Sequence, residues 1–343
     1  MNRAPDSPAS GLMGAAAPTG PAPSASLPDL SVRLGPLQLE HPIINASGTM
    51  ELFELAEVFG REILDHPPVA AYVPKTITMD ARIGNLPPRI LETAAGMVNA
   101  IGLSGEGLEV FIRDRLPRLL ELPCPLILSV GGFSVEEYVT LASGLRDALD
   151  ATLGCGWTAK AGLELNVSCP NVHTGCVSIG SDPGETEQVV AAVRKVWPGL
   201  LVAKLTPNVT DIGAIGRAAE AAGADAIAAV NTYKALVVDR ATLTPYLGNI
   251  TGGLSGPAIK PLALRAVYEL FERVTVPIIG MGGVATAQDV MEFISCGAQV
   301  VAVGSAAFRE PDLGARLAGE VRTSLEARGL TLAALCGHAH SPC

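Results

Sequence analysis

The sequence has few charged residues and no long apolar run, and both absences limit what the protein can be. Charged residues make up only 17% of the 343 residues, and the mean hydropathy is positive, so the chain has ample apolar material for one large core. No apolar run approaches the roughly 18 residues that a membrane span requires. The net charge of −10 disfavours nucleic acid and anionic membranes as the main partners.

The seven cysteines show no paired framework, and their number is odd. This usage indicates a reducing compartment, and we predict that the protein is cytoplasmic. The cysteines match neither ferredoxin spacing, so we expect no iron–sulfur cluster in this chain. The segment Cys336–Cys343 contains two histidines and two cysteines, but its spacing does not fit a zinc site, and we predict no metal.

Residues 1–28 are rich in Pro, Ala, Gly and Ser. The segment lacks the continuous apolar stretch of a secretory signal, because Pro18 ends its one apolar piece, and we predict a disordered tail. Residues 29–330 are predicted to form one domain and residues 331–343 a C-terminal tail.

Strand-like apolar runs alternate with helix-length segments through this domain, a pattern that predicts an α/β fold, the (β/α)8 TIM barrel. The predicted strands are Pro42–Ser47, Ala70–Thr76, Leu126–Gly131, Leu163–Ser168, Leu201–Thr206, Ala226–Asn231, Pro277–Met281 and Val300–Gly304. The predicted helices are Val135–Asp150, Thr186–Val196, Thr210–Ala222, Ile259–Arg273 and Ala287–Cys296. Ahead of the first strand, a hairpin around Gly35-Pro36 is predicted to close the bottom of the barrel.

Polar residues recur at the ends of the predicted strands, where barrel enzymes build their active sites. Glycine pairs follow strands seven and eight at Gly282-Gly283 and Gly304-Ser305, and Gly252–Gly256 precedes a helix. Three converging glycine loops favour a phosphate site, although each alone would be read as a tight turn. The stretch Gly280–Ala285 also fits a dinucleotide pattern, but no acidic residue ends a strand about 20 residues later, and we reject that interpretation.

Lys75 and Lys204 end strands in apolar surroundings, where a lysine needs an anionic or electron-rich partner. A reduced flavin or a substrate carboxylate would be such a partner. The alternative is a structural ion pair with a carboxylate such as Glu164. Four asparagines near strand ends suit a cyclic ureide, with its alternating N–H and C=O groups, although single asparagines there usually cap turns; they are Asn99, Asn166, Asn171 and Asn231.

The decapeptide Leu163–Val172, LELNVSCPNV, joins an apolar strand to a turn that carries two amides and the thiol of Cys169. A thiol ionises near pH ~8.5 in the absence of perturbation, so it can act as a base. The decapeptide resembles the catalytic loop of dihydroorotate dehydrogenases that use a cysteine base. From about Ser31 to Glu320 the chain resembles the class 1 family, through the stretches Lys75–Thr78, Arg82–Arg89, Glu92-Thr93, Gly96–Leu103, Asn166–Val172, Lys204–Asn208, Gly252–Pro261 and Gly280–Val284.

The resemblance implies a cofactor, a substrate and a base. It implies that FMN contacts Ser47, Lys75, Thr76, Ser129, Asn166, Lys204, Val230, Gly256, Gly282, Gly283, Gly304 and Ser305. It implies that dihydroorotate contacts Lys75, Asn99, Ala100, Ile101, Gly102, Leu103, Asn166, Asn171, Asn231 and Thr232. Cys169 would remove a proton from C5 while hydride leaves C6 for flavin N5, yielding orotate for pyrimidine biosynthesis.

The stretches Gly96–Leu103 and Gly252–Pro261 look most like the class 1B branch, which passes electrons to NAD through a partner subunit. A homodimer is expected, with an FAD and iron–sulfur electron-transfer subunit as its partner. The competing interpretations are a fumarate-reducing class 1A homodimer, another FMN barrel acting on a pyrimidine base, and a ligand-binding barrel without turnover. The chain departs from the family pattern at Thr49–Leu55, at Ser104–Gly107 and at Ala235-Leu236.

Overall fold

Parallel strands with helices outside them form the frame of the protein, which the computed structural model describes over residues 28–167 and 179–341. Seven strands of this part of the chain form one sheet. In spatial order they are β3 (Ile43–Asn45), β13 (Val300–Val303), β12 (Ile278–Met281), β9 (Ala226–Ala229), β8 (Leu201–Lys204), β7 (Ala161–Asn166) and β6 (Leu126–Val130). Each lies within a predicted strand, apart from β7, which begins two residues earlier than predicted.

Residues 70–77 close this sheet into a barrel between its two edge strands, without forming a regular strand themselves. The amide of Ala70 donates to the carbonyl of Ile43 on β3 at 2.9 Å, and single parallel bridges join Tyr72 and Ile77 to β6. The predicted second strand is therefore irregular, because Pro74 has no N–H for a ladder. The prediction of a (β/α)8 barrel is confirmed.

Side chains of the barrel strands alternate between an inner and an outer core, as strand geometry requires. Ile127, Val202 and Ala228 point inward into one buried cluster, whereas Leu128, Ala203 and Ala229 belong to the larger cluster shared with the helices. The antiparallel hairpin of β1 (Val32–Leu34) and β2 (Leu37–Leu39) contributes Leu34, Leu37 and Leu39 to the inner cluster. The hairpin thus fills the bottom of the barrel, as predicted.

Five predicted helices are present and differ from prediction only at their ends. They are α5 (Val135–Leu153), α6 (Pro183–Arg194), α7 (Ile212–Ala221), α8 (Lys260–Phe271) and α9 (Ala287–Ser295). The start of α6 lies three residues before the predicted one because Asp182 accepts a hydrogen bond from the amide of Glu185, a cap that satisfies one of the free N–H groups of the first turn.

An antiparallel sheet at the mouth of the barrel was not predicted. Its strands lie in the order β10 (Tyr233–Leu236), β11 (Thr251–Ser255), β5 (Gly96–Asn99) and β4 (Ile90–Thr93). The pairing joins segments more than 150 residues apart, with Gly253 opposite Asn99. Unpredicted helices are α1 (Leu52–Phe59), α2 (Glu62–Asp65), α3 (Leu108–Val110), α4 (Leu116–Leu120), α10 (Leu313–Arg328) and α11 (Leu332–Leu335).

The last described residues of the chain, up to residue 341, pack on the barrel. The His340 ring stacks on Tyr268, with ring centres 3.7 Å apart, and the amide of Gly337 donates to Ile294 on α9. The described residues contain no group of three or more His, Cys, Asp or Glu placed to hold a metal, and Cys343 lies outside them. In the same ranges, no helix has both the length and the apolar character needed to cross a bilayer.

Candidate active site

A cavity of about 380 Å³, here called the principal cavity, opens at the carboxyl ends of the barrel strands. The antiparallel sheet forms one side of it through Met97 and Asn99 of β5 and Ser255 of β11. The structure brings together here most of the predicted site residues: Ser47, Lys75, Thr76, Asn99, Ile101, Gly102, Leu103, Asn166, Lys204, Val230, Asn231, Thr232, Gly256, Gly282, Gly283, Gly304 and Ser305.

Four predicted residues are not among those that line this cavity. Ser129 is fully buried one layer below it, and Ala100 packs with Val98 and Leu247 in the core of the antiparallel sheet. Cys169 and Asn171 lie outside the described residues. The proposed base and one of the four asparagines are therefore known here only from sequence.

Other residues line the cavity without having been predicted to do so. Ile90 and Phe308 lie at the cavity wall and are 50% and 57% exposed. Ala46, Gly48, Thr49, Met97, Ser255, Ile259 and Met281 complete the lining. Four of these could have been anticipated, because Gly48 and Thr49 directly follow the first strand, Met281 ends the seventh predicted strand, and Ser255 lies in the loop Gly252–Gly256.

A buried carboxylate, Glu164, anchors the polar groups beneath the cavity. Its position on β7 pairs with Ser129 on β6, and the Ser129 hydroxyl donates to Glu164 Oε1 at 2.8 Å. An ionised carboxylate only accepts hydrogen bonds, so the proton of Ser129 points to Glu164 and its oxygen is left to accept. Thr76 Oγ1 lies 3.0 Å from that oxygen and 3.0 Å from Ser47 Oγ. A linked chain of hydroxyls thus runs from Ser47 to Glu164, and the Ser47 hydroxyl itself donates to the carbonyl of Pro74 at 2.9 Å.

The same chain fixes the side-chain amides at the cavity wall. Asn166 Nδ2 donates to Thr76 Oγ1 at 3.3 Å, and Asn166 Oδ1 accepts from Asn231 Nδ2 at 3.2 Å. These bonds determine which end of each amide is nitrogen. Asn99, across the cavity, donates to the carbonyl of Gly253 at 3.4 Å.

Lys204 and Glu164 form an ion pair of 3.5 Å in which each residue is 4% exposed. The alternative role considered for Lys204, a structural ion pair with Glu164, is thus present, and Lys204 also lines the principal cavity. The two roles coexist because Asn166 and Lys204 are register partners on β7 and β8. Glu164, two residues before Asn166 on the same face, lies one layer deeper.

Lys75 differs from Lys204 in having no close counter-ion. Among the described residues, its ammonium makes no ion pair within 4 Å. Burial lowers the pKa of Lys75, Glu51 opposes this, and Arg89 adds to it. An anionic ligand in the cavity would stabilise its charge.

The glycine loops at one end of the cavity differ in the room that they leave for a side chain. A Cβ added at Gly283, where φ is +78°, would lie 2.8 Å from the carbonyl oxygen of Gly256 and 2.9 Å from Cβ of Lys260. Gly304, by contrast, has only Ala46 near its missing Cβ, at 3.9 Å. Backbone can therefore approach a ligand closely here, as a phosphate requires.

A second cavity of about 320 Å³ lies beside the principal one, and both are lined by Lys75 and Thr76. Two of the stretches that depart from the family pattern line it, with Glu51 and Phe53 from one and Ser104 and Glu106 from the other. Its walls include the rings of Tyr72 and Phe111 and the charge of Arg115.

Comparison with known proteins gives consistent matches over most of the chain. A family model described as "Dihydroorotate dehydrogenase" matches residues 29–325. The "Dihydroorotate dehydrogenase B (NAD(+)), catalytic subunit" of Desulforudis audaxviator is 44% identical over 314 residues, covering 90% of this chain and 97% of that protein. Proteins of the same name from Carboxydothermus hydrogenoformans and Pelobacter propionicus are each 42% identical, covering 91% and 88% of this chain and 98% and 95% of their own lengths.

We predict that Glu164→Gln destabilises the protein by about 3–5 kcal/mol, because it leaves the charge of Lys204 buried without a partner. Urea unfolding at neutral pH measures the change. Asp114→Asn is the control, since it breaks the exposed pair of Arg113 and Asp114, which solvent screens and which is expected to contribute little to stability. Equal losses in the two variants would contradict the role given to Glu164.

Proposed function

Since the chain belongs to the dihydroorotate dehydrogenase family, we propose that it oxidises dihydroorotate to orotate with FMN bound in the principal cavity. It is an enzyme of the dihydroorotate dehydrogenase type, and its relatives serve pyrimidine biosynthesis. The observation that carries the proposal for this site is the convergence of two lysines, three asparagines and the glycine loops on one cavity at the carboxyl ends of the strands.

The donor set fits a flavin mononucleotide. Gly256, Gly282, Gly283, Gly304 and Ser305 would hold the phosphate, because the backbone is bare there and Gly283 has no space for a side chain. At the ring end, Lys204, held from below by Glu164, would stabilise negative charge on the reduced ring. Thr76, Ser47 and Asn166 would bind its polar edge, and Ser129 would hold Thr76 in place. Bound FMN supplies the hydride acceptor.

The chain's own residues then hold the substrate and move a proton. Asn99, Asn166 and Asn231 would pair with the ring N–H and C=O groups, and Lys75 would bind the carboxylate. The Asn166–Asn231 hydrogen bond orients both amides before the ligand arrives, which lowers the entropy lost on binding. Cys169, three residues beyond Asn166 in sequence, would remove the proton from C5.

Electrons leave through a partner in this proposal. The relatives are named as catalytic subunits of an NAD-linked enzyme, and a subunit that carries FAD and an iron–sulfur cluster would connect the flavin to NAD. Apolar side chains at the cavity mouth support such docking, since Ile90 and Phe308 are at least half exposed while lining the cavity. We further propose that the catalytic chain is a cytoplasmic homodimer.

The purified chain is expected to be yellow and to be bleached anaerobically by dihydroorotate. It should then be reoxidised rapidly by a redox dye, and only slowly by fumarate or by NAD. Slow reaction with NAD is expected because the dinucleotide pattern at Gly280–Ala285 lacks the acidic partner needed to bind ribose. Stopped-flow absorbance measures the rate of flavin reoxidation by the dye, by fumarate and by NAD. A colourless protein that dihydroorotate leaves unchanged would contradict the proposed function, brisk NAD reduction by the lone chain would contradict the partner, and brisk fumarate reduction would indicate the class 1A route.

Cys169→Ala should retain FMN and slow flavin reduction by about 10²–10⁴-fold, the usual contribution of a positioned base. The control is Cys155→Ala, because Cys155 is an exposed free cysteine after α5. Near-normal reduction in the Cys169 variant would remove the thiol from the mechanism. In the unmodified enzyme the rate should rise with pH as the thiol ionises.

Gly283→Leu should give folded but colourless protein, because the side chain would collide with Gly256 and Lys260 where the phosphate is proposed to bind. Absorbance at 450 nm per chain measures occupancy, and circular dichroism checks the fold. Gly319→Leu is the matched control, since Gly319 is exposed on α10 with nothing within 4 Å of its missing Cβ. Full flavin occupancy in the Gly283 variant would mean that the phosphate binds elsewhere.

A further inference from the structure

The loop that follows β12, residues 282–286, is held between two helices. On one side it packs against the start of α8, since a Cβ added at Gly283 would lie 2.9 Å from Cβ and 3.1 Å from the backbone nitrogen of Lys260. On the other side it leads directly into α9, for which Thr286 is the N-terminal cap. The position of the loop therefore depends on how the first turns of α8 and α9 are joined.

The carboxylate of Asp289 joins the loop to both helices through separate oxygens. Its Oδ2 accepts from the amides of Ala285 at 3.0 Å and Thr286 at 2.8 Å, and its Oδ1 accepts from the ammonium of Lys260 at 2.5 Å. Asp289 is buried. Burial raises its pKa, but the hydrogen bonds lower the pKa below its usual value, so the group is an anion at neutral pH. One buried anion thus holds the end of the loop and the first residue of α8 together.

The ammonium of Lys260 is engaged by carboxylates of α9. Besides its bond to Asp289, it donates to Oε2 of Glu292 at 2.9 Å. Lys260 is not among the described residues that line the principal cavity, whereas its neighbour Ile259 and the nearby Gly256 and Gly283 do line it. The cluster of Lys260, Asp289 and Glu292 therefore lies directly behind a wall of the cavity that consists largely of glycine backbone.

We propose that Lys260 and Asp289 are positioning residues for the phosphate of the flavin: their ion pair ties residues 282–286 to the start of α8 and so fixes the distance between two of the glycine loops. This inference rests on the proposed function, in which those loops hold the phosphate of FMN. Backbone amides bind an anion well only when they converge on it, so a loop that moves away from α8 loses phosphate contacts while the ring site stays intact. Neither side chain is assigned a contact with the cofactor.

The test compares the affinity of the full chain, freed of flavin, for FMN and for riboflavin, which has the same ring but no phosphate. The ratio of the two dissociation constants reports the contribution of the phosphate, and unchanged riboflavin binding shows that the barrel and the ring site are intact. In Lys260→Met and in Asp289→Ala the preference for FMN should fall by about tenfold to a hundredfold, the order expected when one or two charge-assisted hydrogen bonds are lost. Quenching of flavin fluorescence on binding measures both constants.

The two variants together separate positioning from a simple effect of charge. Lys260→Met removes a positive charge near the proposed phosphate site and Asp289→Ala removes a negative one, so charge alone would weaken FMN binding in the first and strengthen it in the second. Positioning predicts weaker FMN binding in both. It also predicts that the double variant loses less than the sum of the two single losses, because both substitutions break the same link. Stronger FMN binding in Asp289→Ala would overturn the inference, as would an unchanged preference for FMN in either single variant.

Arg265→Met is the matched control. Arg265 lies on the same helix, where it forms an exposed ion pair with Glu269 at 2.7 Å, and neither residue is among the described residues that line the principal cavity. The preference for FMN should be unchanged in this variant. A loss equal to that in Lys260→Met would overturn the inference, because it would show that any substitution on α8 disturbs the site.

Hydrogen exchange in the flavin-free chain separates this inference from the proposed function. In Lys260→Met the acceptor Asp289 is still present, yet the amides of Ala285 and Thr286 should exchange faster than in Arg265→Met, because the carboxylate is no longer held against α8. Equal exchange in the two variants would overturn the inference. A chain that binds neither FMN nor riboflavin would contradict the proposed function, and the exchange rates would then decide whether the ion pair holds the loop.

Discussion

The buried carboxylate of Glu164 is the constraint on which the polar end of the barrel depends. It accepts from Ser129 at 2.8 Å and pairs with Lys204 at 3.5 Å, in an environment where both charged residues are 4% exposed. A buried ion pair is costly unless its remaining hydrogen bonds are made. The hydroxyl of Ser129 provides one of them to Glu164, and Thr76, which bonds to Ser129, in turn accepts from Asn166 and fixes it. The loss of one group would therefore misalign several.

The barrel interior is divided into an apolar lower layer and a polar upper layer by the alternation of its strands. Ile127 lies two residues before Ser129 on β6, and Val202 lies two residues before Lys204 on β8, so each strand contributes one residue to each layer. The hairpin leucines fill the lower layer. Because the described residues pack that end, the principal cavity opens at the mouth, where the antiparallel sheet and the glycine loops shape it.

The two lysines that line the principal cavity are stabilised in different ways. Lys204 has a close, fully buried counter-ion, whereas Lys75 is half-buried and makes no ion pair within 4 Å among the described residues. A rigid pair suits a group that must keep one position through a reaction. A lysine without a close counter-ion suits the binding of an anionic ligand, because the ligand then provides the counter-ion that the protein does not.

Much of this protein follows from sequence alone. The alternation of apolar runs with helix-length segments determined the barrel, because burial on both faces of a parallel strand leaves a local pattern. Residue type and position at strand ends predicted that Lys75, Lys204, Asn166 and Asn231 lie together, since all parallel strands end at one face, and these four residues do line one cavity.

Only the tertiary structure decided which of these groups touch. Thr76 and Asn166 are 90 residues apart in sequence, and nothing local indicates that their side chains share a hydrogen bond. The antiparallel sheet and the second cavity were missed for the same reason. The strands of the sheet and the walls of the cavity come from segments that are far apart in the sequence. Each segment is too short to show a hydrophobic period, and pairing over such distances is selected by packing rather than by local propensity.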